Sequence, residues 1–184
     1  QYRLVERALN GRRISLLACT SAGKSLSMCI MIRWLMEVEK RRILVIVPSS
    51  NLVEQLYSNF VDDYDWAGAR DVCTLIYSDS KDKITKKTRD TLSALKIGEE
   101  TLLRQVTIST WQSLQHKSPS FFERFSAVIV DEAHSAKGEQ IRDILSRCVN
   151  AVDFKVGLSG TLPDDGLDAG YIESELGRKE RVVT

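Results

Sequence analysis

Short runs of consecutive apolar residues alternate along the chain with longer segments that carry apolar residues at helical spacing. The short runs predict six buried strands: Ile14 to Ala18, Ile43 to Val47, Val72 to Ile76, Val106 to Ser109, Ala127 to Val130 and Lys155 to Leu158. Unbroken hydrophobicity within a strand indicates that both faces of the sheet are buried. The alternation therefore predicts an α/β domain, a three-layer α-β-α sandwich with a mostly parallel sheet.

Three segments have the spacing of helices, and they are Gly23 to Glu39, Asn51 to Tyr64 and Gly138 to Val149. The first segment is expected to place Leu26, Cys29, Ile30 and Leu35 on one broad apolar face. The second has a serine pair in front of it that is suited to cap a helix. These helices would cover the two faces of the sheet.

Two regions depart from the alternation. Residues 79–104 are basic and lack a strand pattern, so we interpret them as an excursion from the sheet. After Pro163 the chain is rich in acidic residues and glycine, which predicts a linker over residues 166–184. Residues 1–165 would then form one domain.

Composition narrows the class of protein. The net charge of +1 argues against a protein that coats nucleic acid by bulk electrostatics. Four dispersed cysteines without a paired motif predict reduced thiols in a cytosolic setting, and two histidines make a structural metal site unexpected. No apolar run approaches the length of about 18 residues that a membrane-spanning helix needs.

The segment from Ala18 to Ser25 fits the phosphate-binding pattern GxxxxGK[ST], except that alanine replaces the first glycine. It lies between a predicted strand and a predicted helix, where backbone N–H groups and the helix dipole can bind phosphate. The predicted nucleotide-binding residues of this loop are Cys19, Thr20, Ser21, Ala22, Gly23, Lys24 and Ser25. Lys24 is expected to reach the β- and γ-phosphates of ATP, and the Ser25 hydroxyl to bind Mg²⁺. The alternative is a chance match in which Gly23 only makes a turn.

Two carboxylates follow the buried strand Ala127 to Val130. Parallel strands bind ligands at their carboxyl ends, so Asp131 and Glu132 are expected near the phosphate loop. We assign Mg²⁺ binding to Asp131 and the role of general base toward water to Glu132, so that Lys24, Asp131 and Glu132 are the catalytic candidates. Taken alone, an acidic pair after a strand is more often a loop or a helix cap.

Other segments occur in a recognisable order. Asp131 to His134 has the letters DEAH, and it is preceded by Pro48 to Gln55 and Ser109 to Leu114 and followed by Ser159 to Thr161. With the phosphate loop, this order resembles that of the superfamily-two helicases and translocases, whose first motor domain is RecA-like. The loop, the Thr-Trp-Gln-Ser segment and the Ser-Gly-Thr segment are most similar to those of the phage UvsW-type branch-migration helicases. Motor subunits of restriction enzymes and excision-repair helicases have similar loops.

The resemblance implies roles for individual residues. Gln1 corresponds to the glutamine that reads adenine. The residues implied to contact the sugar-phosphate backbone of DNA, single-stranded or branched, or of RNA are Pro48, Ser49, Ser50, Thr110 and Gln112. The residues implied to couple the nucleotide site to that surface are His134, Ser159 and Thr161, with His134 also bonding to a second motor domain. The basic segment from Lys81 to Arg89 is either a further nucleic-acid contact or a solvated face.

The family further implies ATP and Mg²⁺ as cofactors, and an ATP-dependent motor that acts in recombination, repair or replication-fork remodelling. If the chain is phage-encoded, it would work in the host cytoplasm. Its second RecA-like domain would supply arginines to the ATP site, so we expect the isolated 184-residue chain to bind Mg-ATP weakly and to hydrolyse it slowly. Three alternatives remain: a phosphate-loop kinase or transferase, a nucleotide-gated binding module without turnover, and a restriction-enzyme motor subunit.

Overall fold

A parallel sheet forms the centre of the domain. The computed structural model describes residues 1–18, 23–77, 103–135, 138–161 and 167–182, and the strands within these ranges are β1 (Arg13–Leu17), β2 (Ile43–Val47), β3 (Cys73–Ile76), β4 (Val106–Thr110), β5 (Ala127–Asp131), β6 (Lys155–Ser159) and β7 (Lys179–Arg181). Every pairing is parallel, and the order across the sheet is β3-β4-β2-β5-β6-β1-β7. The six predicted strands are confirmed, each within one residue at either end. The basic segment from Lys81 to Arg89 lies outside the described residues.

The helices of the described residues are α1 (Tyr2–Gly11), α2 (Lys24–Glu37), α3 (Ser50–Ser58), α4 (Ala69–Val72), α5 (Trp111–Leu114), α6 (Pro119–Phe122), α7 (Gly138–Arg147) and α8 (Leu167–Leu176). A π-helical turn, Asn59–Asp63, continues α3. One detail of the prediction for α2 is wrong, because Ile30 is 44% exposed. At about 100° per residue, Ile30 lies opposite the buried Met28, Ile32 and Leu35, whose spacing follows the packed face.

Successive residues of the central strands point into two separate apolar layers. Ile43 and Val45 of β2 belong to the layer that contains α1, α2 and α3, whereas Leu44 and Ile46 belong to the layer that contains α5 to α8. All four side chains are fully buried. The unbroken apolar run of β2 is therefore explained by burial on both faces, and the predicted three-layer sandwich is confirmed.

The linker expected over residues 166–184 is corrected by α8 and β7. Ile172 and Leu176 are buried against the sheet, and β7 pairs with β1. Gly177 makes the turn between the two elements with a φ of 85°, a conformation that favours glycine. The prediction failed because two apolar positions four residues apart and a three-residue edge strand leave little sequence signal. That a second motor domain follows stays a prediction.

A buried ion pair holds α7 and α8 against β6. Lys155 is 7% exposed, and its Nζ donates to the Leu145 carbonyl oxygen at 2.7 Å and lies 3.3 Å from Oε2 of Glu175. The ammonium thereby binds the last turn of α7, where backbone carbonyls lack helical partners. Lys155 begins the strand that ends at Ser159, so this contact fixes the strand that reaches the functional edge.

Ion pairs also close the opposite, amino-terminal edge of the sheet. The guanidinium of Arg41 donates to both carboxylate oxygens of Asp153, at 2.8 and 2.7 Å, and to Glu39 at 2.6 Å. It also donates to the Ser126 carbonyl oxygen at 2.8 Å. The hydrogen bond and charge of Arg41 hold the pKa of Asp153 below its usual range. Three loops that lead into neighbouring strands are joined by this one side chain.

Candidate nucleotide-binding site

The predicted motifs meet at one edge of the sheet. Because the strands are parallel, β1, β5 and β6 end on the same side, and β6 lies between the other two. Lys24, Asp131 and Ser159 follow or end these three neighbouring strands. The Pro48 and Thr110 segments follow β2 and β4, which are the next strands along. The residues predicted to bind the nucleotide and the residues predicted to contact nucleic acid therefore occupy adjacent parts of the carboxyl edge of the sheet.

Helix α2 begins at the phosphate-binding lysine. Gly23 precedes it in a left-handed conformation with a φ of 69°, and the Gly23 carbonyl oxygen accepts from both N and Oγ of Ser27 at 3.0 Å. Lys24 is 8% exposed, and Ser25 lies partly buried in the same first turn. The predicted phosphate contacts Cys19, Thr20, Ser21 and Ala22 lie outside the described residues.

The side chain of Gln1 lies against the end of the phosphate loop. A Cβ atom added at Gly23 would meet the amide of the exposed Gln1 side chain, which shows that the two groups are adjacent. Gln1 is exposed and precedes α1, which packs along α2. The residue expected to read adenine is therefore adjacent to the residue that turns the chain into Lys24.

Glu132 contacts three other residues of the site. Its Oε1 contacts the Nζ of Lys24 in an ion pair, and its Oε2 accepts from the Gly160 backbone N–H at 3.4 Å. Burial opposes its ionisation, but the hydrogen bond and charge of Lys24, then Gly160 and His134, hold the pKa of Glu132 below its usual value. Its backbone has a φ of 47°, a strained conformation for a residue with a side chain. The carboxylate is therefore ionised near neutral pH and can accept a proton.

Asp131 ends β5 with a carboxylate oxygen that is suited to a cation. Its Oδ1 is buried and has no hydrogen-bond partner among the described residues. Burial, then the charge of Glu132, raises the pKa of Asp131 to about 6, against the opposing charge of Lys24. A buried, unpaired carboxylate oxygen together with the Ser25 hydroxyl offers the oxygen donors that Mg²⁺ prefers. The residues thus fit the predicted metal, although the described part of the chain holds no cluster of three or more His, Cys, Asp or Glu side chains suited to a metal.

The Ser159 turn is bonded to the acidic segment. The Ser159 Oγ is 2.5 Å from Nδ1 of His134, contacts the Thr161 carbonyl oxygen and accepts from the Thr161 N–H at 3.3 Å. The same His134 nitrogen lies 3.3 Å from Oε2 of Glu132. The three residues expected to couple the nucleotide site to the nucleic-acid surface are thus brought together, and one of them, His134, contacts Glu132 directly.

The serines after β2 are exposed or partly exposed at the carboxyl edge. Ser49 is exposed and its Oγ accepts from the Leu52 N–H at 3.4 Å, which caps α3, while Pro48 and Ser50 are partly exposed. Both the helix-capping interpretation and the strand-contact interpretation of Ser49 are compatible with this position. Its contact with nucleic acid stays a prediction.

Thr110 and Gln112 differ in their access to solvent. Thr110 is 2% exposed, and its Oγ1 accepts from the Ser113 N–H at 3.4 Å and donates to the Ser113 Oγ at 3.0 Å. Its hydroxyl caps α5 and is buried in this arrangement, and the contact of Thr110 with nucleic acid stays a prediction. Gln112 is exposed and remains available. Sequence shows the hydroxyl but not its burial.

One contributor to the site escaped sequence analysis. The Gly160 N–H donates a hydrogen bond to the carboxylate of Glu132. Because the donor is a main-chain group, the sequence indicates it only through the position of Gly160 between Ser159 and Thr161. The ion pair between Lys24 and Glu132 was also not expected, because the sequence predicted that Lys24 binds phosphate and that Glu132 accepts a proton from water.

Comparisons with known proteins identify a matching family and a relative. A family model described as DEAD/DEAH box helicase matches residues 1–169. The chain is 33% identical over 159 residues to the ATP-dependent DNA helicase uvsW of Enterobacteria phage T4, and the match covers 86% of this chain but 28% of that protein. The chain thus spans under a third of the curated relative.

Solved structures extend the comparison to the fold. The crystal structure of the UvsW helicase from Bacteriophage T4 has a TM-score of 0.78 at 29% identity, covering 97% of this chain and 57% of that chain. A hypothetical ATP-dependent RNA helicase from Sulfolobus tokodaii has a TM-score of 0.69 at 17% identity, covering 98% of this chain and 51% of that chain, and shows the fold alone. The predicted RecA-like fold and the resemblance to UvsW-type helicases are confirmed. No helix in the described residues has the length and apolar character to span a membrane.

Proposed function

Because the chain belongs to the DEAD/DEAH box helicase family, we propose that it is the ATP-binding motor domain of an ATP-dependent DNA helicase or translocase. The proposed work of the whole protein is the remodelling of branched intermediates in recombination, repair or replication, by analogy with its phage relative, an ATP-dependent DNA helicase. The observation that carries the proposal is the contact of Lys24 with Glu132 beside the unpaired Oδ1 of Asp131. A phosphate-binding lysine, a metal ligand and a general base then share one edge.

Binding of ATP begins at α2. The dipole of this helix and the N–H groups of its first turn attract the phosphates, and Lys24 supplies a positive charge that is already buried. In the proposed complex Lys24 moves from Glu132 to the β- and γ-phosphates. The adenine would be read by Gln1, whose amide adjoins Gly23.

Ser25 and Asp131 are the residues that would hold Mg²⁺, which when bound neutralises phosphate charge. Lys24 holds the pKa of Glu132 down and keeps the carboxylate ionised, and when Lys24 moves to the phosphates the partly exposed carboxylate becomes a stronger base toward the attacking water. The Gly160 N–H and His134 keep that carboxylate at the site after Lys24 leaves it. Proton acceptance is therefore assigned to Glu132.

Coupling would run through the turn after β6. His134, Ser159 and Thr161 form one hydrogen-bonded group that touches Glu132. A second RecA-like domain of the parent chain would face this group and supply the arginines that stabilise the transferring phosphoryl group. The nucleic-acid strand would lie over the segments that follow β2 and β4. Because these segments would contact its sugar-phosphate backbone, binding would be independent of base sequence. A phage-encoded protein of this kind would act in the host cytoplasm.

The test is ATP hydrolysis by the whole protein with single-stranded, duplex and branched DNA and with RNA. Stimulation by branched DNA supports the fork-remodelling proposal. Stimulation by duplex alone points to a restriction-type motor. ATP binding without stimulated turnover points to a nucleotide-gated binding module and contradicts the motor proposal.

A further inference from the structure

The chain around α5 and α6 contains no acidic residue from position 103 to position 122. This stretch passes the carboxyl edge at the end of β4 and then turns back along the domain. Five of its accessible polar side chains form what we call the α5–α6 surface, and they are Gln112, Gln115, His116, Lys117 and Ser118. Amide, imidazole, ammonium and hydroxyl groups of this kind donate to phosphate oxygens.

Backbone hydrogen bonds and a buried aromatic ring fix the position of the α5–α6 surface. The Gln115 N–H donates to the Trp111 carbonyl oxygen at 3.2 Å, and the Lys117 N–H donates to Leu114 at 3.1 Å, so the backbone continues the turn of α5. The ammonium of Lys117 lies 5.6 Å from the ring centre of Phe121, which is itself 2% exposed. A cation stacked on a buried ring loses less conformational freedom when it binds a ligand than a free lysine does.

Helix α7 forms a boundary of this surface. A groove of about 520 Å³ is lined by Gln115 and by residues of α7, namely Glu139, Gln140, Arg142, Asp143 and Ser146. The guanidinium of Arg147 donates to the Gln115 carbonyl oxygen at 3.3 Å and is paired with Asp143 at 2.6 Å. The carboxylates of Glu139 and Asp143 disfavour a phosphate backbone in the groove itself.

We propose that a bound nucleic-acid strand continues from Gln112 onto His116 and Lys117, and that these two side chains bind its phosphates. The inference rests on the proposed function, which requires a strand at the carboxyl edge. It assigns to the exposed His116 and the partly exposed Lys117 a contact that the buried Thr110 hydroxyl does not offer in this arrangement. The ligand is the phosphodiester backbone, so the contact carries no base specificity.

The experiment measures binding of two labelled single strands of unrelated sequence to the whole protein by fluorescence anisotropy over a series of salt concentrations. Lys117→Gln removes the charge while keeping most of the stem on Phe121, and Gln115→Glu adds a carboxylate while leaving Lys117 in place. The matched control is Lys40→Gln, which removes an exposed lysine just before β2, at the opposite edge of the sheet. Thermal unfolding of each variant checks that the fold is kept.

Lys117→Gln is expected to weaken both strands equally, by about threefold to tenfold, and to reduce the salt slope by about 0.7, the value for one single-strand phosphate contact. Gln115→Glu is expected to weaken binding further, and Lys40→Gln to leave affinity unchanged. Wild-type affinity in both Lys117→Gln and Gln115→Glu would overturn the inference, as would an equal loss in Lys40→Gln, which would indicate bulk charge. A wild-type protein that binds no strand contradicts the proposed function itself.

Discussion

Replacing Gly177 by alanine tests whether the chain after α8 is packed on the domain. Gly177 has a φ of 85°, and an added Cβ would lie 2.6 Å from the Arg13 carbonyl carbon and closer still to its oxygen. The left-handed backbone costs an alanine about 1 to 2 kcal/mol, and relief of the collision with fixed backbone about 1 to 3 kcal/mol more. The restricted unfolded chain returns about 0.4 to 1 kcal/mol. The net expectation is a loss of about 1 to 5 kcal/mol, centred on about 3 kcal/mol.

Gly170 provides a matched control in the same segment. It lies inside α8, and an added Cβ would meet no atom within 4 Å. Alanine there is expected to stabilise the protein by about 0.5 to 1 kcal/mol through helix propensity. The same substitution should therefore have opposite signs at two positions seven residues apart in the chain.

Urea denaturation followed by circular dichroism measures both variants. For a chain of this length a loss of 2 kcal/mol also lowers Tm by about 4 to 8 °C, which thermal unfolding can check. Stabilisation by both substitutions would be the behaviour of a flexible linker. That result would refute the packing of α8 and β7 against β1.

Three further predictions concern ion pairs and turnover. Lys155→Met leaves the partly buried Glu175 without its partner, so denaturation should show a loss of about 2 to 4 kcal/mol that Glu175→Gln in the same chain partly restores. Arg41 lowers the pKa of Asp153, so this pair stabilises the fold at pH values above the pKa of Asp153 in the unfolded chain, and the stabilisation is lost as the pH falls through the pKa of Asp153 in the folded chain. The difference in free energy of unfolding between wild type and Arg41→Gln, measured by denaturation at several pH values, should therefore narrow below about pH 4. A difference that stays constant with pH would contradict the assignment. In a phosphate-release assay the 184 residues alone should hydrolyse ATP about 10³-fold or more slowly than the whole protein, because the proposed second RecA-like domain would supply arginines to the site, and fast nucleic-acid-stimulated turnover would overturn this.

The fold could be predicted where burial dominates the sequence. A strand such as β2 is covered on both faces, so each of its residues is apolar and the run is visible. Helix α1 was missed because it buries only Leu4, Val5 and Ala8 among charged and polar neighbours. Strand β7 was missed because its three residues alternate between exposed and partly exposed positions at the sheet edge, and its pairing depends on β1.

The site could be predicted as far as topology determines it. Parallel strands bring their carboxyl ends together, so the proximity of Lys24 to Asp131 and Glu132 follows from where the motifs lie on the strands. The ion pair of Lys24 with Glu132 does not follow, because it depends on the left-handed backbone at Glu132. Burial of the Thr110 hydroxyl is likewise a consequence of tertiary packing and has no local signal.

We propose Glu132 as the general base of a DNA-stimulated ATPase. The direct measurement compares ATP binding and hydrolysis by the whole protein and by its Glu132→Gln variant, with and without branched DNA, and uses Glu6→Gln, at an exposed position of α1, as the charge-matched control. We expect Glu132→Gln to bind ATP still but to lose hydrolysis by about 100-fold or more, while the control behaves as wild type. Unchanged hydrolysis in Glu132→Gln, or wild-type hydrolysis that DNA does not stimulate, would contradict it.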